Sequence, residues 1–194
     1  MAHSKDGHDG TGLSSPSSQV KKATIVSLLK SMAVERAQKK KSPINMASRY
    51  GYIEFVKILA PLTNNPNAPN KDGVTPIFRA AFQGHTEIVK ILAPLTDNPN
   101  APNIYGNTPI MCAATEGHPE IVKILAPLMG NPNAPNEKGD TPIYWAAQNE
   151  HTEIVKILAP LTENPNEPND VGETPMDVAK SKDIRDILKS YEPS

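Results

Sequence analysis

Three histidines recur at one position of a repeated pattern and could suggest a metal site. They are His85, His118 and His151, at steps of 33 residues. We expect them on separate helices, whose axes pack about 8–10 Å apart, whereas zinc–nitrogen bonds are only about 2.0–2.1 Å long. The spacing therefore predicts a structural role as a cap at the start of each helix. We expect no metal and no cofactor.

Cys112 and His118 could act as a nucleophile and its base. We expect them on different helices of one unit, and no third residue is placed to orient the base. The chain also has no Gly-rich phosphate loop and no His-Glu-x-x-His motif. We therefore predict that this protein is not an enzyme. A single cysteine excludes an intramolecular disulfide and fits a reducing compartment.

The composition excludes two further classes of partner. The formal net charge is −1 and the pI is about 6.5, so no global basic field attracts nucleic acid. No apolar run approaches the roughly 18 residues that a membrane-spanning helix needs, and the first 20 residues contain no secretory signal. We expect a monomer in the cytoplasm, with the nucleus as the alternative.

A repeat of 33 residues organises the chain. The segment 85–96 returns almost unchanged at 118–129 and 151–162, and a weaker copy runs over 52–63. A fixed period between 20 and 50 residues is typical of stacked supersecondary units. We place the repeats at about 37–69, 70–102, 103–135, 136–168 and 169–191, the last one truncated. Before them we expect a disordered tail at 1–18 and a capping helix at 19–37.

Each unit contains the signals for two helices. A hydroxyl residue and a proline begin the first helix, as in Thr75-Pro76, because the hydroxyl caps the helix and proline suits its first turn. Paired alanines allow a neighbouring helix to approach closely. Glycine ends this helix in a left-handed conformation, but Glu150 occupies that place in the fourth unit, where we expect strain or an adjusted turn.

The second helix should end or kink at a recurring proline. An Ala-Pro-Leu sequence follows its apolar face, and proline disfavours helical geometry in the residue before it. We expect the leucines to point inward: Leu62, Leu95, Leu128 and Leu161. The Asn-Pro-Asn runs that follow should be extended arms that end in glycine turns, with asparagine side chains bonding the backbone.

The segment 73–92 resembles the ankyrin repeat, as do 106–125 and 139–158. With the weaker first copy and the trimmed end, the resemblance covers about residues 38–191. It implies an all-α solenoid of helix–turn–helix units with projecting hairpin-like loops. The histidine that usually follows Thr-Pro-Leu in this family is absent, so its hydrogen bond must be replaced or lost. Its place is taken by Asn45, Phe78, Met111, Tyr144 and Asp177.

The resemblance also implies a module that binds a protein through a concave face of loop tips and first helices. Positions on this face vary between the repeats, whereas the second helices are nearly identical. The alternatives are a domain that masks an enzyme and the targeting part of a larger enzyme. The candidate binding residues are Arg49, Tyr50, Lys71, Asp72, Arg79, Phe82, Ile104, Tyr105, Met111, Thr115, Glu116, Lys138, Tyr144, Trp145, Gln148 and Asn149. Phe78, Met111 and Tyr144 could instead fill the gap left by the missing histidine, and Lys39–Lys41 could be a solvated loop or part of a basic patch.

Overall fold

Ten short α-helices form five consecutive pairs in the computed structural model, which describes residues 42–191. The predicted tail, the predicted capping helix and Lys39–Lys41 lie outside the described residues. Over residues 42–191 the chain is all-α and contains no β-strand. The helices are α1 Pro43–Tyr50, α2 Ile53–Leu59, α3 Pro76–Phe82, α4 Thr86–Leu92, α5 Pro109–Glu116, α6 Pro119–Leu125, α7 Pro142–Gln148, α8 Thr152–Leu158, α9 Pro175–Val178 and α10 Lys182–Lys189.

The first helix of each pair begins at the predicted cap. The Thr75 hydroxyl accepts a hydrogen bond from the backbone N–H of Phe78 at 3.1 Å, and Thr108, Thr141 and Thr174 cap their helices in the same way. The Ser42 side chain accepts no capping bond within the described part of the chain. The predicted hydroxyl cap is therefore confirmed in four of the five units.

Small residues let the first helices pack closely against one another. Ala80, Ala113 and Ala146 are fully buried, and α3, α5 and α7 pack on their neighbours through this side. The second helices stack in a parallel layer, α4 on α6 and α6 on α8. Aliphatic side chains fill the space between the two layers, where Ile88, Val89 and Leu92 have no exposed surface.

The second helix stops one residue before the alanine of each Ala-Pro-Leu sequence, which then forms a 3₁₀ turn such as Ala93–Leu95. The predicted end is confirmed, but the inward position of the leucines was wrong. Leu62, Leu95, Leu128 and Leu161 are between 47% and 75% exposed. Side chains in a 3₁₀ turn lie about 120° apart, so burial of the alanine directs the proline and leucine outward.

A glycine and a histidine fasten each first helix to the next repeat. Gly84 has φ of 76°, and a Cβ added there would lie 2.7 Å from Cε1 of His118. Gly51 meets His85 and Gly117 meets His151 in the same way. The histidine ring occupies space that only a glycine leaves open. Glycine and histidine therefore recur together at the same interval of 33 residues. The histidines stand at the predicted cap positions, but their side chains make no capping hydrogen bond, so the predicted capping role was wrong and their structural role is this packing.

The Asn-Pro-Asn runs begin with a turn, where we predicted extended arms, whereas the predicted glycine turns that follow them are confirmed. The Asn65 side chain accepts a hydrogen bond from the N–H of Asn67 at 3.1 Å. The buried Asn67 side chain then accepts one from the N–H of Ile77 at 3.0 Å. The second asparagine of each run thereby accepts a hydrogen bond from a backbone N–H at the start of the first helix in the following repeat. Asn133 and Ile143 repeat this bond at 3.0 Å.

Candidate functional site

Asparagine side chains fix the loop that precedes each first helix. The Asn103 carboxamide oxygen accepts hydrogen bonds from the N–H groups of Tyr105 at 2.9 Å and Asn107 at 3.0 Å. Gly106 then turns the chain with φ of 75°. Asn136 holds Lys138 and Asp140 by the same two bonds. Each loop is therefore a rigid turn that carries two or three exposed side chains at its tip.

The tips are also joined to one another along the stack. The N–H of Ile104 donates to the Asp72 carbonyl at 3.1 Å, that of Glu137 to the Tyr105 carbonyl at 3.3 Å, and that of Asp170 to the Lys138 carbonyl at 3.0 Å. Each bond links one tip to the next. The tips and the exposed sides of α1, α3, α5 and α7 thus form one continuous surface, which we call the inner face.

A groove of about 340 Å³ lies in the inner face, where the second, third and fourth repeats meet. Phe82 at the end of α3 lines one side, Tyr105 at a tip lines another, and Trp145 on α7 lies toward the fourth repeat. Tyr105 is 63% exposed. Trp145 is held by an edge-to-face contact with Tyr144, with ring centroids 5.6 Å apart. Three aromatic side chains from three repeats therefore share one cavity.

Seven of the candidate binding residues line this groove. They are Phe82, Tyr105, Met111, Thr115, Glu116, Lys138 and Trp145. Arg49, Tyr50, Lys71, Asp72, Arg79, Ile104, Gln148 and Asn149 lie outside it. Arg49 lies over the Tyr50 ring, 5.5 Å from its centroid, and Asn149 donates to the Trp145 carbonyl at 3.0 Å. Whether any of these residues binds a partner stays a prediction.

Met111 and Tyr144 are buried, so little of either side chain is open to a partner, and their contact with one stays a prediction. Met111 is 2% exposed and forms part of the groove floor. The Tyr144 hydroxyl donates to the Glu173 carboxylate at 2.8 Å, and burial together with this bond raises its pKa to about 12. Phe78 is buried as well. The three side chains fill the place of the missing histidine, which is the alternative stated above.

In the first repeat the missing histidine's hydrogen bond is replaced. The Asn45 carboxamide donates to the carbonyl of Val74 in the next loop at 3.1 Å. At the other end, Asp177 uses the same position to form a capping box with Thr174. Asn45 and Tyr144 thus bond the next repeat, Asp177 bonds within its own repeat, and Phe78 and Met111 are buried apolar side chains.

Five residues of the groove were not among the candidates: Asn107, Cys112, Asn136, Glu137 and Asp140. Four of them stand at positions that vary between the repeats, so the variation alone could have found them. Asn136 ends a run that occurs three times as Asn-Pro-Asn-Ala-Pro-Asn and once, at 164–169, with Glu in place of Ala. Its Nδ2 donates to the Asn107 side chain at 2.9 Å. Variation between the repeats could not identify Asn136, because asparagine recurs at this position to join the tips. The same side chain also lines the groove.

The environment of Cys112 does not favour a reactive thiolate. Burial, and to a lesser extent the Glu116 carboxylate, raises the pKa of this thiol to about 12. The thiol therefore stays protonated at neutral pH, whereas the thiolate is the reactive form. In the described part of the chain, no three His, Cys, Asp or Glu side chains are grouped to hold a metal ion. Between residues 42 and 191 no helix has the length and apolarity to cross a membrane.

A family model matches nearly all of the described residues. The model for ankyrin repeats (3 copies) matches residues 44–136 and again residues 126–190. The chain belongs to the ankyrin-repeat family. A search of curated proteins finds no significant match. Ankyrin repeats generally act as protein–protein interaction modules and are typically not enzymes, so the inner face of these ankyrin repeats is the surface to consider for binding.

Proposed function

We propose that this ankyrin-repeat protein binds a protein partner through its inner face, with the groove between the second and fourth repeats as the centre of contact. The observation that carries the proposal is the convergence of Phe82, Tyr105 and Trp145 on one cavity. Aromatic side chains in a partly enclosed site are the residues that most often dominate binding energy at protein interfaces. They lie on a surface whose backbone is fixed by hydrogen bonds between the tips.

A rigid surface favours binding because little order has to be gained when the partner docks. Tyr105 lies two residues after Asn103, whose side chain holds its backbone N–H. Trp145 is fixed against Tyr144, which in turn bonds Glu173 of the next repeat. The aromatic groups are thus presented in one arrangement before the partner arrives. The mechanism is the presentation of a preformed surface and includes no chemical step.

Site-specific photo-cross-linking tests the proposal. A benzoylphenylalanine residue at position 105 should form a cross-link with a discrete protein in extract of the cells that produce this chain. The matched control carries the same residue at position 95, because Leu95 is also exposed but lies after a second helix, outside the inner face. Cross-linking of the same proteins at both positions, or at position 95 alone, would count against the proposal.

A further inference from the structure

The charged residues of the inner face are not paired within the described chain. All five ion pairs among residues 42–191 lie on second helices, for example Lys90 with Glu87 at 2.7 Å and Lys123 with Glu153 at 2.9 Å. The tips and first helices carry charges of both signs, and none of these charges takes part in an ion pair within that range. The inner face therefore keeps its charges available for another molecule.

These charges are sorted by position along the stack. The basic end consists of Arg49, Lys71 and Arg79 in the first two repeats, with Asp72 as one opposite charge. The acidic end consists of Glu116, Glu137 and Asp170, with Lys138 as one opposite charge. Because the tips are joined in a row, the two ends face the same side. The formal charge of the whole chain is only −1, so the sorting reflects placement and not composition.

The acidic end reaches into the aromatic groove. Glu116 and Glu137 are exposed and both line it, together with Phe82, Tyr105 and Trp145, and Lys138 is the one cationic side chain among the lining residues. A site that combines carboxylates with aromatic rings attracts a cation in two ways. The carboxylates attract it by their charge, and the rings attract it by their negative faces. Arginine suits such a place better than lysine, because its planar guanidinium stacks on aromatic rings and pairs with carboxylates.

The size of the groove limits what can enter it. A volume of about 340 Å³ lies at the lower end of the range for ligand pockets. It is large enough for side chains of an extended segment. The continuous row of tips beside the groove gives such a segment a straight path from the acidic end to the basic end.

We propose that the groove takes an extended segment of the partner that places an arginine between Glu116 and Glu137 and directs an acidic residue toward Arg79. This inference rests on the proposed function, since it names the chemistry of the segment that docks on the same face. It distinguishes this chain from ankyrin repeats in general, because it depends on the particular charges at the variable positions of these five repeats.

Peptide pools of defined charge test the inference. Three fluorescent pools of randomised nine-residue peptides carry a fixed central arginine, glutamine or glutamate, and binding to the full chain is measured by fluorescence polarisation at low and high salt. We expect the arginine pool to bind about ten-fold more tightly than the glutamine pool. The difference should shrink at high salt, because exposed charges are screened. Equal binding of all three pools, or a preference for glutamate, would overturn the inference.

Matched variants locate the effect. Glu116→Gln with Glu137→Gln should remove the preference for arginine, because the amides keep the shape of the side chains and lose the charge. Glu120→Gln with Glu153→Gln removes two carboxylates from the second helices and should leave the preference unchanged. A preference that survives the first pair of changes, in protein with unaltered circular dichroism, would also overturn the inference.

The two proposals can fail separately. If a partner cross-links at position 105 but docks a segment without a basic residue, as mapped by mass spectrometry of the cross-linked peptide, the proposed function stands and this inference falls. If cross-linking at position 105 fails while the arginine pool binds in the groove, the groove chemistry stands and the choice of a protein partner on this face falls.

Discussion

The carboxylate of Glu150 accepts a hydrogen bond from the backbone N–H of Ser181 at 2.9 Å, and a second one from that of Lys180 at 2.7 Å. Glu150 stands where the first three units have glycine, and Ser181 stands where the next unit would have histidine. The Glu150 backbone has φ of 63°, so the left-handed turn is kept without glycine. In the first three units a histidine ring packs on a glycine at this contact between repeats. In the fourth unit the Glu150 carboxylate instead caps the start of α10.

We expect Glu150→Ala to lower the free energy of unfolding by about 1–2 kcal/mol, because the cap is lost and the positive φ is kept. Glu150→Gly also loses the cap but relieves the backbone, so its cost should be smaller. Urea denaturation measures both, and amide exchange should rise in Lys182–Lys189. Glu153→Ala, which removes an exposed ion pair, should change stability by less than about 0.5 kcal/mol. A Glu150→Gly variant more stable than the wild type would contradict the capping role.

Alanine substitutions at three glycines separate two costs of adding a Cβ, which are the positive φ and the clash with a neighbouring side chain. Gly84→Ala combines a positive φ with a Cβ that would lie 2.7 Å from the His118 ring, Gly172→Ala has φ of 85° with nothing within 4 Å, and Gly130→Ala meets neither obstacle. We expect losses of about 2–4, about 1 and about 0 kcal/mol in this order. Chemical denaturation of the three variants measures the series. Equal losses at Gly84 and Gly172 would show that the histidine ring simply moves aside.

The helix pairs could be predicted because their signals are local and occur in several copies. Thr75-Pro76 marks a helix start by its own chemistry, and Gly84 marks a helix end. The outward position of Leu95 could not be read in this way. It depends on a change from α-helical to 3₁₀ geometry over three residues, whereas the apolar pattern simply continues. An aliphatic residue gives no sign of the turn that exposes it.

The candidate site was predictable in part for a related reason. Variation between repeats marked Tyr105, Glu116 and Trp145 correctly as residues at the inner face. It also marked Met111 and Tyr144, which vary because each fills a differently shaped gap beneath that face. Variation alone does not distinguish a position free to contact a partner from a position that adapts to its neighbours. Burial decides between them, and burial is a property of the assembled stack.

Two leucines three residues apart provide a test of the corrected, outward position of the leucines that follow the second helices. Leu125 at the end of α6 is fully buried, whereas Leu128 in the following 3₁₀ turn is 52% exposed. We expect Leu125→Ala to cost about 3–5 kcal/mol and Leu128→Ala less than about 1 kcal/mol. Thermal and urea unfolding of the two variants measure the contrast. Similar losses at both positions would show that Leu128 packs inward after all.

The half-buried thiol of Cys112 should make stability depend on pH in the alkaline range. Its pKa is raised from 9.0 to about 12, so in this interval the unfolded chain loses a proton that the folded chain retains. The unfolded state then binds fewer protons, and the free energy of unfolding falls as the pH rises. We expect the wild type to lose stability relative to Cys112→Ala between pH values of about 9 and 12. Urea titrations at each pH measure the difference, and parallel curves for the two proteins would contradict it.

The affinity of the partner cross-linked at position 105 tests the role of the inner face most directly. Tyr105→Ala combined with Trp145→Ala should weaken binding at least about ten-fold, while circular dichroism and the melting temperature change little. Leu95→Ser combined with Leu128→Ser alters two exposed leucines outside the inner face and should leave the affinity unchanged. If the inner-face variant binds as tightly as the wild type, or if only the leucine variant loses affinity, the partner docks elsewhere and the account is wrong.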